Sequence, residues 1–532
     1  MFFFITISFC VRMVTFFHSS YDWDESLYIV GALELTKGNL PYLTVWDHKP
    51  PGIFFLFALI LNFTDSIVFP IRILSCISVG LSGYVICRLV SGKNYKHILI
   101  GIVAALLYIL SSLKNGGVAA NSEIFYVTFI LFSFLLATTF INNNLHRKIK
   151  SDWHLLFFSS LLLGVAGSIN YLALLYCGAL GLYILIPLFR NTTFDNKETK
   201  YVAGLQLIKA LVIGLSGPLI VTLSIVILYL VNGSFDELYY ANITANAEYI
   251  SSKNQPFDLF LFLKAMGNQV SANWLLWICL FISLFLNKEY KALDNRIKQV
   301  LLLSVCWLGA SFLAIFVSRL YWPHYFLQFN PALCIIAAVV ICKILESNIK
   351  KNILLPLAGI FLILLGGDYS NIRDTAKEVV EILKHRVIAK EKTYGDLNAQ
   401  ISEYINNRIE KDDYIYVLDY NPIIYSLSQS KIPTKYIFPP FLIGRTSARM
   451  VDGSSINEVN NILKLKPVYI VRKRERPEPE GTIDEIYRDV DSVLKKEYSL
   501  EKSFKRLSSN EYIDLYKLSI LQTKSVLKAV TN

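Results

Sequence analysis

YDWDESLYIVGALELTKGNLPYLTVWDHKPPG, residues 21–52, sets Asp22, Asp24, Glu25, Asp47, His48 and Lys49 between two strongly apolar segments. Three carboxylates within four positions stand at the exit of an apolar run, where a charge beside lipid is costly unless it is paired or used. A loop that only joined two helices would need none of them. Further along, Pro50 and Pro51 stop any preceding helix, and Pro51-Gly52 opens the run IFFLFALIL, which places Asp47, His48 and Lys49 at or just before a helix N-terminus. Outward-pointing N–H groups, a positive dipole end and the Lys49 ammonium together make a seat for a phosphate. The stretch reads as the first outward loop of a polytopic membrane protein, spanning residues 19–67.

Composition agrees. The 532 residues are 54% hydrophobic and only 17% charged, and the mean hydropathy is +0.44. That is too apolar for a soluble protein and long enough for many spans plus a domain. The net charge of +11 does not point to nucleic acid, because the basic residues fall in short clusters between apolar runs. All eight cysteines lie in apolar segments and none forms CxxC, so neither a zinc cluster nor a disulfide framework is expected.

Residues 2–18 are read as a retained first helix, with Arg12 inside and no small-residue cleavage site. Ten further spans are expected near 68–91, 97–113, 124–141, 154–168, 172–189, 205–231, 271–287, 300–317, 325–343 and 353–366, about eleven in all. Segment 52–63 is too short to decide by length, and charge decides it. If it does not cross, the loops near 88–96, 146–150, 190–200, 288–298 and 343–351 share one side and carry about sixteen Lys and Arg against about six opposite. If it crosses alone, that asymmetry reverses throughout. The N-terminus is therefore expected in the cytoplasm of a plasma (bacterial inner) membrane protein, with 1–367 as the membrane domain. Residues 368–532 are expected outside. There helical patterns alternate with β-rich runs at 414–419, 467–473 and 511–518, which predicts a small α/β domain with three or four strands. It contains no phosphate loop, GxGxxG or nucleophile elbow.

Three groups of residues carry chemistry. Asp24 and Glu25 are adjacent, so at most one aims into a given pocket while its neighbour meets a cation or a backbone donor; Asp24 is the choice for a base, against the plainer reading that these acids only cap a helix. In KNGGVAANSEIFYV (114–127), Glu123 stands at an outer helix mouth, either as a first-turn acid suiting the dipole or as a ligand for an acceptor or a divalent cation. In SRLYWPHYFLQFNPAL (318–333), Tyr321 and Trp322 read as an interface belt, whereas Arg319 and His324 are cations able to meet a phosphate or diphosphate. A lone His is more often structural. The long loop 232–270 could cover a groove, and its Asn242-Ile243-Thr244 matches the glycosylation pattern without settling anything.

The acidic pair after the first helix, then GNLPYLTVWDHKPPG, ANSEIF and RLYWPHYFLQFNP, in this order, resembles the GT-C superfamily over roughly residues 1–366. The likeness is specifically to bacterial members of glycosyltransferase family 39, related to protein O-mannosyltransferases, lipid A aminoarabinose transferases and Rgt-type enzymes. It implies a multi-pass glycosyltransferase of cell-envelope biogenesis that takes a sugar from a polyprenyl-phosphate carrier and transfers it, with inversion, to a lipid, glycan or protein hydroxyl outside the cytoplasm. It makes Asp24 the general base, Glu25 its neighbour in the motif, Glu123 the second-loop acid, Lys49 the phosphate contact, and Arg319 and His324 helpers. Asp47 and His48 join Glu123 as acceptor- or metal-site candidates. Where the aminoarabinose transferases have an acid before the lysine this chain has His48, a departure from their metal-site pattern, and the only cofactor implied is a divalent cation.

The main competing reading is a transporter or flippase of lipid-linked envelope precursors. Transporters, however, place ionisable groups at mid-span and show internal repeats, and here the charges sit at outer helix mouths without a repeat. A membrane-anchored binding protein is a third, against which the C-terminal region's lack of a recognisable site argues.

Overall fold

The computed structural model describes residues 1–92, 97–145, 152–191, 197–252, 258–285, 293–319, 321–348, 370–391, 394–476, 481–506 and 509–519. Ten of the eleven expected spans carry a helix, and 353–366 lies outside the described residues. Among the described residues, five helices are long and apolar enough to cross a membrane alone: Phe69–Ser91, Ser122–Asn143, Gly204–Val231, Asn295–Ser318 and Pro323–Ile344. The expected span 271–287 is not one straight helix. Leu259–Ala272 and Trp274–Ser283 meet at 99°, and together they make a sixth candidate. The helices at 2–17, 98–111, 153–169 and 171–186 are apolar but shorter.

Contacts divide the chain into two units. The first comprises Met1–Met13, Arg72–Leu228 and Phe257–Asn371, and the second Val14–Ile71, Tyr229–Pro256 and Ile372–Asn532. The first is a helical bundle. Helix α1 (Phe2–Arg12) belongs to it, and the arginine at its end is buried and donates from Nη2 to the Ser112 carbonyl and hydroxyl, both at 2.9 Å. Trp153–Ile169 crosses Lys197–Val231 where glycines remove the side chains: a Cβ on Gly217 would lie 2.1 Å from the Ser160 carbonyl carbon, so only glycine permits that approach.

The second unit joins the acidic loop to the C-terminal region. Asp22 caps helix α2 (Trp23–Thr36) by accepting from the Glu25 N–H at 2.8 Å. Helix α3 (Gly52–Leu61) begins straight after Pro51, and its ten residues cover only about 15 Å, half a hydrocarbon layer. α2 and α3 pack closely at Gly31, where an added Cβ would fall 2.4 Å from the Phe54 ring. The sheet has the order β1-β2-β4-β3, with β1 (Ile415–Val417) parallel to β2 (Tyr469–Lys473), β4 (Tyr512–Leu518) antiparallel to β2, and β3 (Tyr498–Lys505) antiparallel to β4. Three strands fall on the β-rich runs of the sequence. The fourth, β3, starts directly after helix Asp484–Glu497, so its YSLEKSFK is hidden behind a strong helical pattern. One core serves the whole unit: Leu27 and Val30 of α2, and Val45, are buried in the same cluster as Ile401, Ile415, Val417, Ile424, Val471, Ile513 and Leu515.

Candidate active site

Capping fixes the start of α2, and capping decides which acid is available. Glu25 is fully buried, and its Oε2 accepts the Tyr21 N–H at 2.8 Å, closing the turn in the manner of a capping box. Asp24, one position earlier, turns the other way and forms an ion pair with Lys49, the two side chains being 17% and 9% exposed. Four residues on, and so on the same helix face, Tyr28 completes the group: its hydroxyl accepts from Lys49 Nζ at 2.6 Å and donates to Asp24 Oδ1 at 3.2 Å. Tyr28 is buried and held edge-on by Phe54 and Phe57 of α3. A carboxylate, an ammonium and a phenol thus meet within one hydrogen-bond radius, 25 residues apart in sequence at the widest.

The lysine is placed from both sides of its backbone. The Tyr42 hydroxyl donates to the Lys49 carbonyl at 2.8 Å, and the Asn246 amide donates to the His48 carbonyl at 2.8 Å. Tyr42 is fully buried with φ +76°, a left-handed conformation that costs a non-glycine residue about 1–3 kcal/mol and persists only where the surroundings enforce it. Asn246 follows a single π-helical turn, Tyr240–Thr244, of the kind that often marks functional segments. Asp47 is buried; its Oδ1 accepts the His48 N–H at 2.8 Å and lies 3.1 Å from His48 Nδ1. The His48 ring stands near Tyr249 and Phe441.

The other predicted residues belong to the helical unit. Glu123 is buried in the first turn of Ser122–Leu145, with the Ser122 hydroxyl donating to Oε2 at 3.2 Å. Arg319 ends helix Asn295–Ser318 in the left-handed region at φ +50°. His324 sits in the 3-10 segment Pro323–Phe329, edge-on to Tyr325 and beside Gly116, while Trp322 is exposed. Arg12, Arg72 and Lys114 are also buried there. Among the described residues no three His, Cys, Asp or Glu side chains gather to hold a metal ion.

Sequence reasoning missed Tyr28, Tyr42 and Asn246. The i, i+4 spacing from Asp24 was a usable signal for Tyr28. Nothing local flags Tyr42 or Asn246, because their bonds run to backbone carbonyls.

Residues 48–220 match the family described as dolichyl-phosphate-mannose-protein mannosyltransferase, a segment that begins at His48 and includes Lys49 and Glu123. No curated protein sequence matches the chain. Among solved structures, ArnT from Cupriavidus metallidurans bound to undecaprenyl phosphate is similar with a TM-score of 0.58 at 12% identity, over 97% of each chain. The apo state of that protein gives 0.56 at 13% identity, again over 97% of each chain. An oligosaccharyltransferase from Archaeoglobus fulgidus gives 0.50 at 10% identity, over 89% of this chain and 69% of its own. The chain therefore has the fold of the GT-C membrane glycosyltransferases, and its motifs resemble that superfamily as the acidic loop led us to expect.

Proposed function

We propose that the chain is a glycosyltransferase that moves a sugar from a polyprenyl-phosphate donor to a hydroxyl of an envelope lipid, glycan or protein on the extracytoplasmic side. The observation that carries this is the Asp24–Lys49–Tyr28 group. In the resting pair the Lys49 ammonium neutralises Asp24, which makes the carboxylate a weak base. A donor phosphate competes for that ammonium and for the Tyr28 hydroxyl, and its arrival leaves Asp24 to accept a proton. The acceptor oxygen then attacks the anomeric carbon as its proton passes to Asp24. The bond from that carbon to the phosphate oxygen breaks, and the electron pair leaves with the polyprenyl phosphate, where Lys49 and Tyr28 stabilise the charge. Attack opposite the leaving group gives inversion. The resemblance, not a shared site in the structure, is what implies Arg319 and His324 as further cationic contacts to a donor and Glu123 as an acceptor-side residue or a ligand for a divalent cation.

The test uses membranes containing wild type or Asp24→Asn, incubated with labelled polyprenyl-phosphate sugars and a cell-envelope extract. Label moves to a new product with wild type, and at least about 100-fold more slowly with Asp24→Asn. Normal turnover by Asp24→Asn removes the base assignment, and carrier-linked label that crosses the membrane without changing its carrier favours a flippase.

A further inference from the structure

The residues that lead into α2 are held by the C-terminal part of the second unit. Ser19 donates twice to one carboxylate, its N–H to Asp396 Oδ2 at 2.9 Å and its hydroxyl to Asp396 Oδ1 at 2.7 Å. Just before it, His18 Nε2 lies 2.7 Å from Glu378 Oε2, with both side chains largely buried. Just after it, the Ser20 hydroxyl bonds the Asp22 carbonyl at 2.8 Å and meets the Ser26 hydroxyl at 2.6 Å. A continuous set of bonds thus runs from Asp396 through Ser19 and Ser20 to the capping residue two positions before Asp24.

Asp396 is itself rigidly placed. It is buried, it caps Leu397–Asn406 by accepting the Ala399 N–H at 3.1 Å, and its Oδ2 also receives the Asn398 amide at 3.3 Å. Asn398 in turn accepts from the Asn421 amide at 3.1 Å, in the loop that follows β1. Four donors fill the acceptor capacity of one carboxylate, so the group is anchored to the sheet and spends two of its bonds on a residue 377 positions earlier.

Helix formation does not require this. Asp22 and Glu25 already cap α2, so the contacts from Asp396 add no helix stability that the loop lacks; they set where the helix begins. A base must stand within hydrogen-bond reach of the proton it takes, and about 1 Å of misplacement costs on the order of 100-fold in rate. We propose that Asp396 is a positioning residue for sugar transfer: through Ser19 it locates the turn that carries Asp24, and this is the role of the C-terminal domain. The proposal rests on Asp24 being the base.

The decisive variant is Asp396→Asn. Its remaining oxygen can keep the Ala399 cap and the Ser19 hydroxyl, while its NH2 faces the Ser19 N–H and the Asn398 amide. In the full-length protein, kcat falls about 10- to 100-fold while KM for the lipid donor stays within about two-fold. Ser19→Thr, which keeps both donors, retains near-wild-type kcat. The double variant Ser19→Ala/Asp396→Asn is slower than Asp396→Asn alone, because it also removes the hydroxyl bond that the asparagine oxygen keeps. Amide exchange gives a readout independent of activity: residues 19–30 exchange faster in Asp396→Asn, and residues 397–406 keep their protection. Wild-type kcat in Asp396→Asn, or loosening spread evenly over 397–518, would overturn the proposal. If the wild type transfers no sugar at all, the proposed function fails, and unchanged exchange of residues 19–30 sinks the clamp separately.

Discussion

At the scale of single residues, what matters is who neutralises whom. The two neighbouring acids divide the work: Glu25 spends an oxygen on the Tyr21 N–H, whereas Asp24 meets Lys49 and Tyr28. Lys49→Ala removes the partner of a mostly buried carboxylate and the phosphate contact together, so transfer should fall by at least about 100-fold in a donor-titration assay. Tyr28→Phe keeps the ring packed on Phe54 and Phe57 and deletes one donor to the leaving phosphate. Its kcat should fall about 10-fold or more with the detergent-extracted protein as stable as wild type. Unchanged kcat in Tyr28→Phe would confine the phenol to packing. Asp24, Glu25 and Lys49 were legible because charged residues are expensive at a membrane boundary and stand out there. Tyr42 and Asn246 were not, since an aromatic and an amide in a loop have many ordinary uses and only the folded chain reveals the Lys49 and His48 carbonyls they serve.

At the scale of elements, the site depends on how closely α2 and α3 pack and on how Trp46, three residues before Lys49, is held by the C-terminal residues. Gly31→Ala would drive a methyl into the Phe54 ring, and α2 and α3 would have to separate. A loss of about 1–3 kcal/mol in thermal unfolding of the extracted protein is expected, together with weakened transfer. Trp46 is fully buried among Tyr240, Tyr436 and Phe441, and its backbone N–H donates to the Lys435 carbonyl at 2.9 Å. The helices were readable because long apolar runs have few other uses. The 99° bend between Leu259–Ala272 and Trp274–Ser283 was less so, as hydropathy is blind to direction. Strand β3 was missed for a different reason: YSLEKSFK follows an amphipathic helix without a Gly or Pro to mark the boundary, and its strand character comes from pairing with β4.

At the scale of the molecule, the C-terminal region shares its core with α2, so the part of the sequence that looked like an appended module is structurally continuous with the acidic loop. Composition could not show this, because a shared core joins residues hundreds of positions apart. Its stability should also carry a pH signature. Burial pushes the Asp419 carboxyl up to about 6, against the bonds it accepts from the Lys473 N–H and the Tyr487 hydroxyl. The folded state then binds more protons than the unfolded state between about pH 4 and 6, and this group's contribution to stability falls as pH rises through that window. Asp419→Asn should flatten that part of the profile when wild type and variant are compared by thermal unfolding. A difference that stays constant between pH 4 and 7 would contradict it. A thiol placed at Ser454 should react with an impermeant label on intact cells, and reaction only after lysis would reverse the proposed orientation. The most direct measurement is a double-mutant cycle on transfer from a labelled polyprenyl-phosphate sugar, using Asp24→Asn, Lys49→Ala and the pair. If the two residues act as one unit, each single change lowers kcat/KM by at least about 100-fold and the double variant is within a few-fold of the worse single. Wild-type turnover in Asp24→Asn, or losses that simply add, would contradict it.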